Sequence, residues 1–210
     1  MDTGPVAKEG AIGPVAVQAD RGEADPGRIL LDGLRGADPG LVLVFGADGS
    51  ELAALDAALR AGLPEGCVIA GCSSAGEIGP RGYASGSIVA IGFPAAHFRA
   101  STLVLPRLDA LPVSDWMAAL RRLQAGFGPD PQRSLFGLLL VDGLAGQEDA
   151  LVATIDAALP SVPTLGGSAG DGLSFKQTWL LANGQVVTNA AIFLLVETDL
   201  SVSEVTFAHF

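Results

Sequence analysis

Two short loops of nearly the same sequence, Gly71-Cys72-Ser73-Ser74-Ala75-Gly76-Glu77 and Gly166-Gly167-Ser168-Ala169-Gly170-Asp171, occur in this chain at a fixed offset. Each comes after an apolar run and an Asp-Gly pair: Leu41–Phe45 with Asp48-Gly49, and Leu135–Val141 with Asp142-Gly143. Asp48 to Glu77 spans 29 positions, as does Asp142 to Asp171, so both motifs return at an offset of 94. A spacing held at two separated motifs constrains the fold more than any single element, because each half must then build the same unit. In both halves that unit reads strand, Asp-Gly, helix, Pro, strand, loop, hairpin. The expected fold is α/β, with mixed β-sheets, flanking helices and two similar halves at approximately 12–110 and 111–210 inside one unit spanning 12–210. Residues 1–11, rich in Gly, Pro and charge, are expected to form a disordered tail.

Capping residues and hydrophobic periodicity place the elements. Ile12–Gln18 reads as an edge strand, since Pro14 lacks a ladder donor. Asp25 and Pro26 open a helix with an apolar stripe of Ile29, Leu30 and Leu34, and Gly36 is expected as its left-handed stop. Ser50 is expected to cap a second helix whose Leu52, Leu55 and Leu59 face the core before Gly62 and Pro64 end it. Strands are expected at Cys67–Gly71, Ser87–Phe93 and Arg99–Leu105, and Ser114 as the cap of a helix carrying Met117, Leu120, Leu123 and Phe127. The second half reads as a strand at Leu135–Val141, a helix over about Gln147–Leu159 and a short strand around Pro163–Leu165. Asn183-Gly184 is expected to join two long strands, because a two-residue hairpin turn takes positive φ at both central positions. Val202–Ala208 reads as a last strand, and Trp116 and Trp179 as core-facing side chains.

Composition narrows the classes of function. With 49% hydrophobic and 17% charged residues over 210 positions, the chain can bury a substantial core. A net charge of -11 repels phosphate backbones and anionic lipid, so neither nucleic acid nor membrane insertion is expected. No apolar stretch reaches the roughly 18–20 residues that span a bilayer, and Met1–Gly10 lack the basic and apolar regions of a signal peptide. The expected location is cytoplasmic. Cys67 and Cys72 form neither a disulfide framework nor a Cys-x-x-Cys half-site; they read as small buried hydrophobes. With His97 and His209 the only histidines, no multi-His metal site is expected.

The loops carry the side chains with chemistry. Each offers glycines that let backbone approach a ligand, hydroxyls from Ser73, Ser74 or Ser168, and a carboxylate from Glu77 or Asp171. That set suits amine and hydroxyl groups. It suits phosphate poorly, because no Lys or Arg lies within either loop and Arg81 and Lys176 stand only at the edges. The same residues also suit a tight structural crossing between strands, and both readings stand at this point. Asp142-Gly143 sits at a strand C-terminal end, where α/β folds place ligand crevices, although Asp142 and Asp48 serve equally as turn or cap residues. Glu148 reads as a solvated first-turn acid favoured by the helix dipole. The expected ligand-binding set is Cys72, Ser73, Ser74, Glu77, Asp142, Gly143, Gly167, Ser168 and Asp171. The two loops are expected to face one another across a shared pocket, with no catalytic residue.

A hydrolase is the alternative the motif raises, since Gly166–Gly170 fits Gly-x-Ser-x-Gly and is followed by Asp199 and His209. That elbow needs a helix directly after the serine. Asp171–Gln177 contains Gly172 and runs into strand-like Thr178–Leu181, and His209 is the penultimate residue. Cys72 has no neighbouring His or Lys in sequence to lower its pKa.

From about Val15 to His209 the chain resembles the FIST family, specifically its N-terminal sensory domain. The resemblance rests on Leu41–Phe45, Val68–Glu77, Leu138–Gly143 and Leu165–Asp171 in that order, followed by Thr178 and Asn183-Gly184. It implies a bacterial-type, non-enzymatic intracellular sensor of small molecules, with amino acids suggested as ligands and signal transduction as output. Implied partners are a signalling protein such as a histidine kinase, or a following C-terminal domain. Some relatives bind haem and sense nitric oxide, so haem is the alternative ligand, with His97, His209, Tyr83 and the cysteines as conceivable axial ligands.

Overall fold

Three separate clusters of buried side chains divide the molecule into layers: one under the first two long helices, one under the last two, and one between two β-sheets. The computed structural model describes residues 12–46, 48–128, 130–172 and 174–205. The chain runs β1 (Val15–Asp20), α1 (Pro26–Leu34), β2 (Pro39–Phe45), α2 (Gly49–Arg60), β3 (Val68–Cys72), β4 (Glu77–Gly79), β5 (Gly82–Ala84) and β6 (Ser87–Pro94). It continues β7 (Phe98–Pro106), α3 (Val113–Ala125), β8 (Ser134–Asp142), α4 (Glu148–Ala158), β9 (Thr164–Ala169), β10 (Leu180–Ala182), β11 (Gln185–Val187) and β12 (Ala190–Thr198). Sheet one has the order β1-β6-β2-β3-β10-β11, sheet two the order β7-β12-β8-β9, and β4 and β5 pair by themselves. The expected α/β class with mixed sheets is what the chain adopts: β2 pairs parallel to β3 and β8 parallel to β9, while β6 and β12 run antiparallel to β2 and β8.

The layers follow from side-chain alternation. Val42, Val44 and Ile69 face Leu30, Leu34, Leu52 and Leu59 on the helix side of sheet one. Leu41, Leu43, Ala70 and Cys72 face the other way, onto Leu140, Ile192, Leu194 and Val196 of sheet two. Because β12 lies centrally between helices on one face and sheet one on the other, all nine of its residues are buried, which is why it reads as an unbroken apolar run. A fully buried leucine contributes about 1.5–3 kcal/mol, so the alternating leucines of these strands hold the layers together.

Several local expectations are corrected. Asp48, not Ser50, caps α2: its side chain accepts from the amides of Ser50 and Glu51, and the Glu51 carboxylate accepts the Asp48 amide in a reciprocal capping box. Ser114 lies inside α3, whose N-cap is Pro112. Gly36 sits within a short 3-10 turn, and the left-handed residue after it is Asp38 at φ 45. In α1 the core face uses Leu31 beside Leu30 and Leu34, while Ile29 is exposed. Asn183 and Gly184 do form the positive-φ hairpin turn, but its arms are only three residues each. The long strand is β12, which starts after a second left-handed residue, Asn189 at φ 49. The strand near Pro163 extends to Ala169 and takes in most of the second loop. Val202–Val205 form no strand, and the remainder of that expected strand, like the 1–11 tail, lies outside the described residues.

The halves at 12–110 and 111–210 do not coincide with the sheets. Strand β7 belongs to sheet two, and the β10–β11 hairpin crosses back to pair with β3 of sheet one. Within the sheets, β1-β6-β2-β3 and β7-β12-β8-β9 follow the same order and pairing directions. The C-terminal ends of the parallel strands therefore converge at one end of the molecule, with both Ser-Ala-Gly-acid loops attached.

Candidate functional site

At that end the two loops touch: the Gly170 amide donates to the Ser73 carbonyl at 3.0 Å. Ser73 is the knot of the region. Its amide donates to the Trp179 carbonyl at 2.9 Å, and its Oγ accepts from the Trp179 amide at 2.9 Å. The indole of Trp179 lies over the first turn of α2, so close that a Cβ on Gly49 would stand 2.6 Å from the ring. The first loop, the second loop, α2 and the lead into β10 are thus fastened together.

Beside this knot lies a cleft of about 390 Å³. Glu77 forms part of its wall; the residue is buried, and its carboxylate accepts from Ser74 Oγ at 2.7 Å and from Ser87 Oγ at 3.0 Å. Gly46 makes room for it. That residue has φ +106, and a Cβ there would come within 2.5 Å of Glu77 Oε1. Two hydroxyl donors and a glycine-sized gap keep a buried carboxylate oriented without a salt bridge, as a buried acid requires hydrogen-bonded partners.

The opposite side comes from the second loop. The Asp171 carboxylate accepts from the amides of Phe175, Lys176 and Gln177 at 2.9, 2.6 and 3.0 Å. These backbone donors, Gln177 first, hold its carboxyl below the ordinary value. By winding the chain around itself, Asp171 brings Lys176 and Gln177 to the cleft rim. The third side is Arg21, at the end of β1, which pairs with Glu51 and reaches Asp48 at 3.4 Å. Asp48 also lies below its ordinary value, chiefly through the Glu51 amide.

Of the residues expected from sequence, the cleft gathers Ser73, Ser74, Glu77 and Asp171. The others go elsewhere. Asp142 is buried and accepts from Thr178 Oγ1 at 2.5 Å, the Asn189 amide at 2.6 Å and the Leu144 amide at 3.1 Å, so it anchors both ends of the β10–β11 hairpin. Gly143 packs against the Ala169 carbonyl, where a Cβ would overlap it. Ser168 stays in β9 and donates to Glu148 Oε1 at 3.0 Å on the α4 side, which makes Glu148 a partner rather than a free first-turn acid. Cys72 and Gly167 line a second cleft, between the sheets. Sequence reasoning missed Arg21, Gly46, Gln177 and Trp179 at the loop cleft and placed Lys176 only at its edge. Asp48 had a readable signal, the Asp-x-x-Glu capping box. Arg21 had none, since β1 reaches the site only through the sheet.

The nucleophile elbow of a hydrolase does not form among the described residues. Ser168 is followed by no helix among the described residues up to Gln177, and its hydroxyl faces Glu148. His209 lies outside the described residues, and Asp199 instead pairs with His97 Nδ1 at 3.0 Å.

Haem fits the donors among the described residues poorly. Burial pushes the Cys67 thiol up to about 11 and the Cys72 thiol up to about 12, away from the thiolate that would bind iron. The cleft containing Cys72 offers no Lys or Arg for propionates, and His97 has one ring nitrogen committed to Asp199. Among the described residues no group of three or more His, Cys, Asp or Glu side chains is placed to hold a metal ion, and no helix is long and apolar enough to cross a membrane.

A four-layer α/β domain with a mixed-charge cleft between its two loops is the class of molecule this geometry defines. The family model for the FIST N domain matches residues 40–210, and the chain belongs to that family of sensory, non-catalytic domains. The match begins at β2, so β1, α1 and the Arg21 between them precede it. No curated protein matches the chain.

Proposed function

We propose that the loop cleft binds a small zwitterion of the amino-acid type and that its occupancy is relayed to a signalling partner. The observation that carries this reading is the arrangement of charge. Glu77, Asp48 and Asp171 supply acceptors for an ammonium group, and Arg21 and Lys176 supply donors for a carboxylate, around one cleft of about 390 Å³. Among the described residues Lys176 forms no ion pair, so its ammonium is free to meet an anion. The volume lies in the range of small-molecule pockets, and the backbone around Ser73 and Gly170 adds fixed polar groups. With both signs of charge, the arrangement favours a zwitterion over a simple amine or a phosphate. The hydrogen bonds that Ser73 exchanges with Trp179 and accepts from the Gly170 amide couple both loops to the β10–β11 hairpin, giving a ligand a route to move secondary structure. A cytoplasmic setting, and a histidine kinase or following C-terminal domain as partner, complete the reading by family resemblance.

Thermal-shift screening of the full chain against the standard amino acids tests it, with the matching amines and carboxylic acids as controls. A zwitterion at 100 times its Kd should add about 2.7 kcal/mol to native stability, and neither half-charged control should match it. Lys176→Ala should weaken the hit about tenfold by removing one ionic contact. A folded chain whose melting no amino acid raises would sink the reading.

A further inference from the structure

We propose that the chain has a second ligand site, distinct from the loop cleft, in which a small uncharged apolar molecule lies between the two sheets against β9. The gap is about 400 Å³, and among the described residues no charged side chain lines it. Leu43, Phe45 and Cys72 of sheet one and Leu138, Leu140 and Leu194 of sheet two form its walls. These are the residues that alternation aims into the inter-sheet layer, and elsewhere in that layer they interdigitate.

Here they do not meet, and the cause lies in β9. Ala169 is part of the inter-sheet core, so the same face of the strand carries Gly167 and Leu165. Gly167 contributes no side chain, and a Cβ built on it meets nothing within 4 Å. Leu165 remains 51% exposed, at the outer edge of the gap. Among the described residues β9 is also the last strand of sheet two, and none fills in for the missing side chain. Well-packed interiors seldom leave apolar voids larger than a water molecule. An apolar cavity of about 150 Å³ already takes up benzene, and the gap exceeds that. Its polar margin is Ser73 and Ser74, both neutral, with the backbone of Ser168, so the occupant has an apolar body and at most a hydroxyl or similar uncharged polar end. The reading does not depend on a zwitterion binding in the loop cleft, since the lining of the gap shares only Ser73 and Ser74 with it.

Methyl-labelled NMR of the full chain, titrated with indole and separately with 1-octanol, provides the test. Saturable one-to-one binding is expected with at least one probe, with the largest shifts at Leu138, Leu165 and Leu194. Gly167→Leu, whose extended backbone position pairs with Leu140, should fill the gap and weaken that binding at least tenfold. Leu165→Trp is the second variant, at an exposed position that tolerates a larger side chain, and should do the same if Gly167→Leu fails to fold. Cooperative thermal unfolding with unchanged far-UV circular dichroism serves as the control that each variant is folded. No saturable binding of either probe to the wild-type chain overturns the proposal. So does unchanged binding in a folded variant, or a concentration-dependent dimer, seen by sedimentation, that closes the gap and is lost in Gly167→Leu.

Discussion

The two Ser-Ala-Gly-acid loops leave matching strand pairs and end in different structures. Phe45 pairs with Cys72 in sheet one, and Leu139 with Gly166, at the same 94-residue offset, in sheet two. After Cys72 the first pair ends. Gly46 takes φ +106 and turns β2 away, the Ser73 amide binds Trp179, and Ser74 swings to Glu77. The second pair continues through Leu140–Gly167, Val141–Ser168 and Asp142–Ala169. Strand alternation then governs Ser168, which points to α4 and Glu148. The serines of the motif therefore line the cleft in one half and lie in a strand edge in the other, while the closing acids Glu77 and Asp171 both reach the cleft. What decides between them is whether the partner strand stops before the serines.

The Asp of each Asp-Gly pair shows the largest expected difference. Asp142 sits at the end of β8, buried, with three donors. Asp142→Ala should cost about 3 kcal/mol, because the Thr178 hydroxyl and two amides lose their acceptor away from water. Asp48, which ends an exposed capping box, should cost about 1 kcal/mol as Asp48→Ala. Denaturant unfolding of the two variants compares them directly, and equal costs would break the distinction between anchor and cap. Gly46→Ala comes next, at about 2 kcal/mol, since it combines a left-handed backbone with a Cβ that would meet Glu77. A structure of that variant should show Glu77 displaced from Ser74. Retention of the Ser74–Glu77 bond at unchanged stability would mean that Gly46 does not control the end of β2.

Much of this was legible in the residues. The 94-residue spacing marked positions that occupy equivalent places in the two parallel strand pairs, and the alternation of Leu, Val and Ile located most strands to within a residue or two. Asn183-Gly184 announced its turn through the φ it requires. Other features depend on tertiary packing. The hairpin arms beside that turn are short because β10 pairs with β3 of the other sheet, and no local pattern in Leu180–Val187 encodes which sheet it joins. Ser50 and Ser114 carry the right side chain for a cap, but Asp48 and Pro112 stand where the backbone first leaves the helical region. Arg21 enters the cleft 27 residues ahead of Asp48 through the pairing of β1 with β6, a contact that no motif spacing reveals.

A smaller, local effect follows from Asp171. Its carboxyl is held below the ordinary value of 3.8 by the amides of Gln177, Lys176 and Phe175. A depressed folded-state value means that the order it contributes is fully present above 3.8 and is lost as pH falls through the lower, folded value. Amide NMR should show the Lys176 and Gln177 signals constant from neutral pH down to the ordinary carboxylate range and moving only below it. Asp171→Asn should shift those amides at neutral pH and abolish the acid-range transition. Movement centred at or above 3.8 would show that the three amides do not favour the charged form.

The smallest expected effect, that of Ser168→Ala, separates the loops most directly when set beside Ser74→Ala. Ser168 occupies the place of Ser74 in the 94-residue register, so a shared role would make the two alanine variants equivalent. The geometry predicts otherwise. Ser74→Ala removes one of two hydroxyl donors from buried Glu77, which should cost about 1–3 kcal/mol and weaken zwitterion binding together with stability. Ser168→Ala removes a hydrogen bond between exposed partners at the sheet edge, and exposed substitutions of that kind usually stay within about 0.5 kcal/mol. It should leave amino-acid affinity unchanged, because neither Ser168 nor Glu148 lines the loop cleft. Paired melting curves with and without the best ligand measure both quantities. Equal losses in the two variants would place Ser168 in the working site, and the end of β2 would no longer account for how the two halves differ.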